Sequence, residues 1–129
     1  MTPTTEQEQI LKEERLGILA TIRRDGSPQL TPINYVYTNG RLLISTTRDR
    51  VKYRNILRNP QVSVCVLRPE GRPYVTVLGQ AQIEETDIEA GTAEVFRHIS
   101  DRPLPENFGE ILREQKRILI VVTPERFVP

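Results

Sequence analysis

The sequence predicts a mostly β fold of the α+β class, in which six or more antiparallel strands form a small barrel with peripheral helices. Three observations predict this fold. Most apolar segments are short and alternate with polar residues, as half-buried strands do. The dipeptides Asp25-Gly26 and Asn39-Gly40 favour tight hairpins. No glycine-rich phosphate loop follows a strand, and short turns stand where a doubly wound fold would need helical crossovers.

The first helix and the first strands follow from local signals. Thr5 and Glu8 form a capping-box pattern, which predicts a short amphipathic helix that carries Ile10 and Leu11. After this helix the apolar residues alternate. Strands are predicted over residues 16–23, 29–37 and 41–45. Because hairpin signals separate them, three antiparallel neighbours in sequence are the simplest interpretation.

The middle of the chain is predicted to contain one helix and two strands. Residues from about Asp49 to Arg58 have helical spacing, with Tyr53, Ile56 and Leu57 on one side, and Asn59-Pro60 ends the segment. Strands are predicted over residues 62–67 and 74–83.

The last third of the chain is predicted to hold two helices and one strand. Gly79 interrupts the apolar face of the preceding strand, which predicts a β-bulge. Thr86 and Glu89 form a second capping box at the start of a helix. A shorter helix is predicted over residues 107–115. The β-branched run Ile118–Thr123 predicts a strand buried on both faces.

Size and charge narrow the classes of function. We expect residues 1–129 to form a single domain, because 129 residues with 37% hydrophobic side chains support one modest core. Such a chain buries only about two-thirds of its surface, so a large organic ligand would sit on its surface or between two subunits. With 18 basic and 17 acidic residues, a net charge of +1 argues against nucleic acid or an anionic membrane as a partner.

The single cysteine, Cys65, excludes an internal disulfide and is typical of a reducing compartment. No window of the sequence reaches the roughly 18 apolar residues that a transmembrane helix needs. We therefore expect a cytoplasmic protein with no membrane partner.

Positive charge is concentrated between the third predicted strand and the second helix. Five basic residues and one acidic residue between Arg48 and Arg58 give this segment a charge of +4. Cations at a helix N-terminus are unfavourable unless an anion binds there. The donor set for a phosphate group is Ser45, Thr46, Thr47, Arg50 and Lys52. The alternative, which the sequence leaves open, is a solvated basic face with Asp49 as the helix N-cap.

No side chain offers an evident nucleophile or acid–base pair. His98 is the only histidine, and it lies on a predicted helix away from the basic segment. Cys65 is interpreted as a small core residue. Metal-ligand spacings are absent from the sequence, so we expect no metal site. This pattern favours plain binding or chemistry that a cofactor carries, and redox cofactors fit best.

Three sequence segments, taken in order, carry a family resemblance. They are Leu16–Ile22 with Asp25–Leu30, Arg50–Pro60, and Tyr74–Ala81. The ordered set resembles the pyridoxamine 5'-phosphate oxidase-like split β-barrel flavoproteins, especially the short members that use the deazaflavin coenzyme F420. It covers about residues 15 to 85. The resemblance implies a split β-barrel fold.

The resemblance also implies a homodimer with two equivalent cofactor sites in the subunit interface, each lined by both chains. It implies that Arg50 and Lys52 bind the cofactor phosphate, with Ser45, Thr46 and Thr47 alongside. The residues implied to lie along the ring system are Thr31, Pro32, Ile33 and Asn34. Those implied to come from the partner subunit are Arg72, Pro73 and Tyr74. A proline within the second strand further predicts a bulge at Pro32.

The function implied by the resemblance is F420-dependent oxidoreduction, with hydride transfer between F420 and a small electron-poor organic substrate. Two alternatives stay open: an oxidoreductase of the same fold that uses FMN, and a non-catalytic carrier of a flavin or tetrapyrrole. Oxidation of vitamin B6 is disfavoured, because Gln29–Asn34 replaces that subgroup's Arg-x-Val-Leu-Leu-Lys motif and the chain has no tryptophan. Single-stranded nucleic acid is disfavoured because stacking residues are few.

Overall fold

Four helices and seven strands make up residues 2–129, the part of the chain that the computed structural model describes. The helices are α1 (Thr5–Glu13), α2 (Val51–Arg58), α3 (Glu89–Ile99) and α4 (Phe108–Glu114). The strands are β1 (Leu16–Ile22), β2 (Pro28–Asn34), β3 (Val36–Thr38), β4 (Arg41–Thr47), β5 (Gln61–Leu67), β6 (Tyr74–Glu84) and β7 (Arg117–Val128). Each predicted helix and strand is present, and β7 is longer than predicted.

The seven strands form one antiparallel sheet, in the order β2-β1-β5-β6-β7-β4-β3. The sheet curls, so that β2 at one edge approaches β4 near the other edge. The curled sheet encloses the main core, which includes Leu19, Tyr35, Ile44, Val64 and Ile120. This half-barrel with helices packed around it confirms the predicted mostly β fold class.

Tyr35 divides the predicted strand 29–37 into β2 and β3. Its ring is fully buried, and its hydroxyl donates to the carbonyl oxygen of Leu11 at 2.8 Å. Its backbone N–H donates to the carbonyl of Arg15 at 3.1 Å. Past this anchor the chain crosses to the opposite edge of the sheet. The prediction of three neighbouring strands was therefore wrong, because turn signals identify hairpins but not the order of hairpins in a sheet.

The capping box of α1 lies one residue earlier than predicted. The backbone N–H of Gln7 donates to the hydroxyl of Thr4 at 3.1 Å, and the N–H of Thr4 donates to the side-chain oxygen of Gln7 at 2.9 Å. Both Thr4-Gln7 and Thr5-Glu8 fit the sequence pattern of a capping box. The structure uses the first pair, so Thr5 is the first helical residue.

The predicted capping box at α3 was wrong. Ile88 is the N-cap of this helix and makes no side-chain cap. Asp87 has a φ of 54°, in the left-handed region, which reverses the chain between Thr86 and the helix. Thr86 therefore does not cap the helix that Glu89 begins.

Strands β4 and β7 are buried on both faces, as predicted for the final strand. Their inner residues, such as Ile44 and Ile120, belong to the main core. Their outer residues Leu43, Leu119 and Val121 pack with α3 and α4 in a second core. This second layer covers one half of the sheet from outside.

The outer face of β1, β2 and β5 is not covered by any helix of residues 2–129. Its large apolar side chains are solvent-exposed, at 62% for Leu16, 66% for Leu30 and 38% for Leu67. The outward positions of these three strands carry no charged side chain. Cys65 faces outward beside Ile18 and is half-buried, so its predicted place in the core was wrong.

Two local irregularities were predicted in the sheet, and one is present. The β1–β2 register runs without interruption through Pro32, which lies opposite Ile18. The bulge predicted at Pro32 was wrong, because β2 is an edge strand and such a strand accepts a proline within a regular ladder. The register between β6 and β7 does shift between Leu78 and Gly79, which confirms the bulge predicted at Gly79.

Within residues 2–129, none of the helices combines the length and the apolar composition that a membrane span requires.

Candidate functional site

A cavity of about 500 Å³ lies among the edge strand β2, the end of β4, the start of α2 and the second half of α3. Nine of the twelve residues predicted to contact a cofactor line it, namely Thr31, Pro32, Ile33, Asn34, Ser45, Thr46, Thr47, Arg50 and Lys52. The four other lining residues are Val95, Phe96, Ile99 and Arg117. The fold thus brings the predicted ring segment and the predicted phosphate segment to one cavity.

The end of β4 contributes three consecutive hydroxyl-bearing residues to the lining of this cavity. Ser45 and Thr47 are half-buried, and Thr46 is almost fully buried. The Thr47 hydroxyl donates to the carboxylate of Asp49, and this bond holds the pKa of Asp49 below its usual value. Thr47 lies opposite Arg117 in the β4–β7 ladder, so backbone pairing holds the hydroxyls in place.

Two cations at the start of α2 line the cavity without a counter-ion. Arg50 is the N-cap, it makes no side-chain cap, and the first turn contains no acidic residue. Lys52 is only 8% exposed. Neither cation forms an ion pair with another residue in the range 2–129. Burial, and then the charge of Arg50, hold the pKa of Lys52 below its usual value. An anion bound beside them would offset the cost of burying the Lys52 charge and of placing cations at a helix N-terminus.

Hydrogen bonds to the sheet fix the orientation of α2. The helix turns Lys52 and Asn55 inward. The side-chain amide of Asn55 donates to the hydroxyl of Thr21 at 3.1 Å and to the side-chain oxygen of Gln29 at 2.8 Å. Leu57, predicted to share one side of the helix with Tyr53 and Ile56, is 59% exposed, whereas Ile56 is buried. Polar bonds to β1 and β2 set the inward face.

The remaining charges of the basic segment point to other surfaces. Arg48 forms an ion pair with Glu85, with Nε and Oε1 3.3 Å apart. Arg54 and Arg58 line a separate concave surface together with the two arginines of the β1–β2 turn. Asp49 precedes the N-cap and does not cap α2. The basic segment therefore fits the phosphate-site interpretation at Arg50 and Lys52, which line the cavity. It fits the interpretation as a solvated basic face at Arg48, Arg54 and Arg58, which lie on other surfaces.

Two walls of different chemistry complete the cavity. The β2 wall, from Thr31 to Asn34, belongs to a sheet edge, so backbone groups on its free side have no ladder partner. The α3 wall consists of Val95, Phe96 and Ile99 and is apolar. An apolar surface beside free backbone groups suits a planar ring with polar edges.

The three remaining predicted residues lie elsewhere in this chain. Arg72 and Pro73 are in the β5–β6 turn, and Tyr74 begins β6 with 44% exposure. Tyr74 pairs with Leu67, at one end of the uncovered outer face. Their predicted role places them in the cavity of a partner subunit, and it stays a prediction.

Four cavity residues were missed by the sequence interpretation. The three on α3 fit the apolar spacing of a core helix, which hides their place at a cavity edge. Arg117 offered a weak signal, because a cation stands at the start of an otherwise apolar strand. Only the pairing of Arg117 with Thr47, seventy residues apart in sequence, brings it to the site.

The histidine and the cysteine of this chain, His98 and Cys65, do not line the cavity. His98 Nε2 lies 2.9 Å from the carbonyl oxygen of Glu14, and its ring packs 6.5 Å from that of Tyr35. This arrangement ties α3 to the end of α1. Among the residues that the structure describes, from 2 to 129, no three His, Cys, Asp or Glu side chains are grouped to hold a metal ion.

Comparisons with known proteins agree with this architecture. Among solved structures, an F420 reductase is 31% identical, with 98% of each chain covered and a TM-score of 0.80. A conserved hypothetical protein from Mycobacterium tuberculosis is 23% identical, with a TM-score of 0.83 over 98% of this chain and 83% of that one. A FAD-binding protein from Mesorhizobium loti is 22% identical, with a TM-score of 0.71 over 98% of this chain and 92% of that one. The last two likenesses show the fold alone.

A family model described as pyridoxamine 5'-phosphate oxidase matches residues 3–127. The match spans nearly all of the chain. The seven-stranded half-barrel of this protein is the same split barrel as in the similar structures. The chain therefore belongs to the pyridoxamine 5'-phosphate oxidase family of split β-barrel proteins.

Proposed function

We propose that the protein is an oxidoreductase that transfers hydride between the deazaflavin coenzyme F420 and a small electron-poor organic substrate. The observation that carries this proposal is a cavity in which the buried Lys52 and the exposed Arg50, neither of them in an ion pair within residues 2–129, adjoin three hydroxyl-bearing residues and an apolar wall. Membership of the family makes the chain an oxidoreductase-type split barrel that binds a flavin-type cofactor. The choice of F420 is supported by the 31% identity to an F420 reductase.

The residues present fit a phosphate-bearing cofactor. Arg50, Lys52 and the Ser45 hydroxyl would hold the phosphate as charged and neutral donors, with Thr46 and Thr47 alongside. None of the residues that line the cavity is a carboxylate, and Asp49 beside it already accepts from the Thr47 hydroxyl. The free edge of β2 would hold the polar rim of the ring through backbone groups. Val95 and Phe96 would cover an apolar part of the ring or the substrate.

A reduced deazaflavin supplies a hydride when bound. The chain's own contribution is to hold ring and substrate together and to exclude water, which raises the effective concentration of the reacting groups. No carboxylate, histidine or cysteine lines the cavity. In this proposal the substrate either needs no proton or takes one from solvent.

The cofactor site is completed by a second copy of the chain in this proposal. The uncovered outer face of β1, β2 and β5 supports a dimer, because it presents Leu16, Leu30 and Leu67 without a charge. Pro32 lines both the cofactor cavity and an apolar cavity of about 370 Å³ on this face. A second copy on the face would therefore contact the cofactor cavity. Tyr74, at the end of the face, would enter the partner's site.

Replacing Leu30 by lysine is expected to raise the dissociation constant of the dimer about 10- to 100-fold. In a two-fold symmetric dimer each subunit would place one lysine charge in the apolar interface. Sedimentation over a range of concentrations measures it. Leu57→Lys is the matched control: Leu57 is similarly exposed, at 59% against 66% for Leu30, but lies on α2 away from the face. A wild-type monomer at working concentration would contradict the shared site.

Fluorescence titration of the ligand-free protein with oxidised F420 and with FMN tests the cofactor. We expect F420 to bind more tightly. Copurification of a yellow chromophore with the spectrum of FMN would favour the FMN alternative. Tight F420 binding without oxidation of the reduced cofactor by quinones, enones or tetrapyrroles would favour a carrier.

A further inference from the structure

Arg117 is the one cavity cation that the function above does not use. It begins β7, lies half-buried, and its guanidinium carbon is 5.7 Å from the centre of the Phe96 ring. Its Nε donates to the side-chain oxygen of Gln115 at 2.9 Å, and its Nη1 donates to the Ser45 hydroxyl at 3.3 Å. Phe96 of α3, Ser45 of β4 and Gln115 of the α4–β7 turn thus hold this guanidinium in one position.

The contacts of Arg117 leave most of its hydrogen-bonding capacity unused. A guanidinium has five N–H donors, and two of them have an acceptor within residues 2–129. Both acceptors are neutral. Arg68 shows what a structural arginine does in this protein, since it pairs with the carboxylates of Glu13 and Glu14 at 2.7 and 3.1 Å. The guanidinium of Arg117 is therefore held in place by neutral acceptors, and its other N–H donors are available to an anion.

The surroundings of Arg117 add to its positive charge. Burial, and then the charge of Arg50, hold the pKa of the Arg117 guanidinium below its usual value. Arg50, Lys52 and Arg117 line the same cavity, and no acidic side chain lines it with them. Three cations in one cavity repel each other in the ligand-free protein and are stabilised together when an anion binds.

We propose that Arg117 is a further ligand-binding residue, which brings a planar guanidinium fork from the last strand to the phosphate group that Arg50 and Lys52 hold. The fork can contact two phosphate oxygens at once. Ser45, which accepts from Nη1, keeps its own hydroxyl hydrogen for the same group. The inference rests on the proposed function in taking this cavity as the cofactor site, but it requires only a phosphate-bearing ligand.

Titration with riboflavin, FMN and F420 tests this role, since riboflavin lacks the phosphate. Arg117→Met keeps an apolar stem against Phe96 and removes the fork. We expect it to weaken FMN and F420 binding about 10- to 100-fold and to leave riboflavin binding unchanged. Arg117→Lys restores the charge without the fork and should recover part of the loss. Arg113→Met is the matched control, because Arg113 lines only the neighbouring cavity.

Unfolding of the ligand-free variants separates a binding role from a structural one. Arg117→Met should be at least as stable as wild type, because it removes a half-buried charge that Arg50 repels. A loss of stability with unchanged FMN and F420 affinity would assign Arg117 to structure and overturn the proposal, as would an equal loss for riboflavin and FMN. If wild type binds FMN through Arg117 but not F420, the F420 assignment fails and this inference stands.

Discussion

Replacing Arg50 and Lys52 together, as Arg50→Ala/Lys52→Met, is expected to weaken binding of F420 or FMN about 100- to 1000-fold. Each residue contributes a charge-assisted contact to the phosphate worth about 1.5 to 2 kcal/mol. Methionine replaces the stem of Lys52, which is 8% exposed, so that packing is kept. Fluorescence titration at fixed ionic strength measures the change, and added salt should weaken the wild type more than the variant.

The matched control for this variant is Arg24→Ala/Arg54→Ala. These two arginines line a separate concave surface, whereas Arg58 is left in place because its guanidinium donates to the side-chain oxygen of Asn55, which orients α2. Their removal should change cofactor affinity less than about threefold, through long-range charge alone. Unchanged affinity in the Arg50/Lys52 variant would refute the phosphate assignment. Equal losses in both variants would show that net charge, and not the cavity, attracts the ligand.

Replacing Gly79 by alanine is expected to lower the free energy of unfolding by about 3 kcal/mol or more. A Cβ on this residue would overlap the carbonyl oxygen of Thr123 and lie 3.2 Å from the Cα of Pro124. These are backbone atoms of β7, so they can move only if β6 and β7 separate. Denaturant unfolding measures the loss, with circular dichroism to show whether the variant folds.

Gly17→Ala provides a graded comparison on β1. A Cβ there would lie 3.2 Å from the carbonyl oxygen of Cys65 and 3.2 Å from a methyl group of Val64. These contacts are tight but do not overlap, unlike the contact at Gly79, so a smaller loss of about 1 kcal/mol is expected. A Gly79→Ala variant as stable as Gly17→Ala would show that the bulge relaxes freely, against the structure.

Local sequence patterns predicted the helices and strands of this fold, because interactions between residues close in sequence largely determine them. Alternating apolar residues identified β5 and β6, the Asn39-Gly40 dipeptide identified the β3–β4 turn, and Gly79 marked the bulge. Local predictions failed where two signals competed or where the deciding residue carried no signal. The capping patterns at Thr4 and Thr5 overlap, and the left-handed Asp87 has no distinctive sequence signal.

Part of the candidate site could be predicted from residues close in sequence, and part depends on residues that are distant in sequence. Ser45 through Lys52 form one continuous strand-to-helix segment, so their grouping follows from the sequence. The apolar wall of α3 and Arg117 reach the cavity only through packing and the β4–β7 register. Each belongs to an element whose own pattern is that of an ordinary core strand or helix.

The sequence by itself determined the β-rich fold class, the hairpins and the paired hydroxyl and basic residues that form the candidate phosphate site, because these depend on neighbours within about ten residues. Only the tertiary structure decided that β2 and β3 lie at opposite edges, that one half of the sheet lacks a covering layer, and that Arg117 joins Arg50 and Lys52. The reason is physical. Strand order and register are selected by burial of the whole apolar surface, to which Tyr35 and other distant residues contribute together.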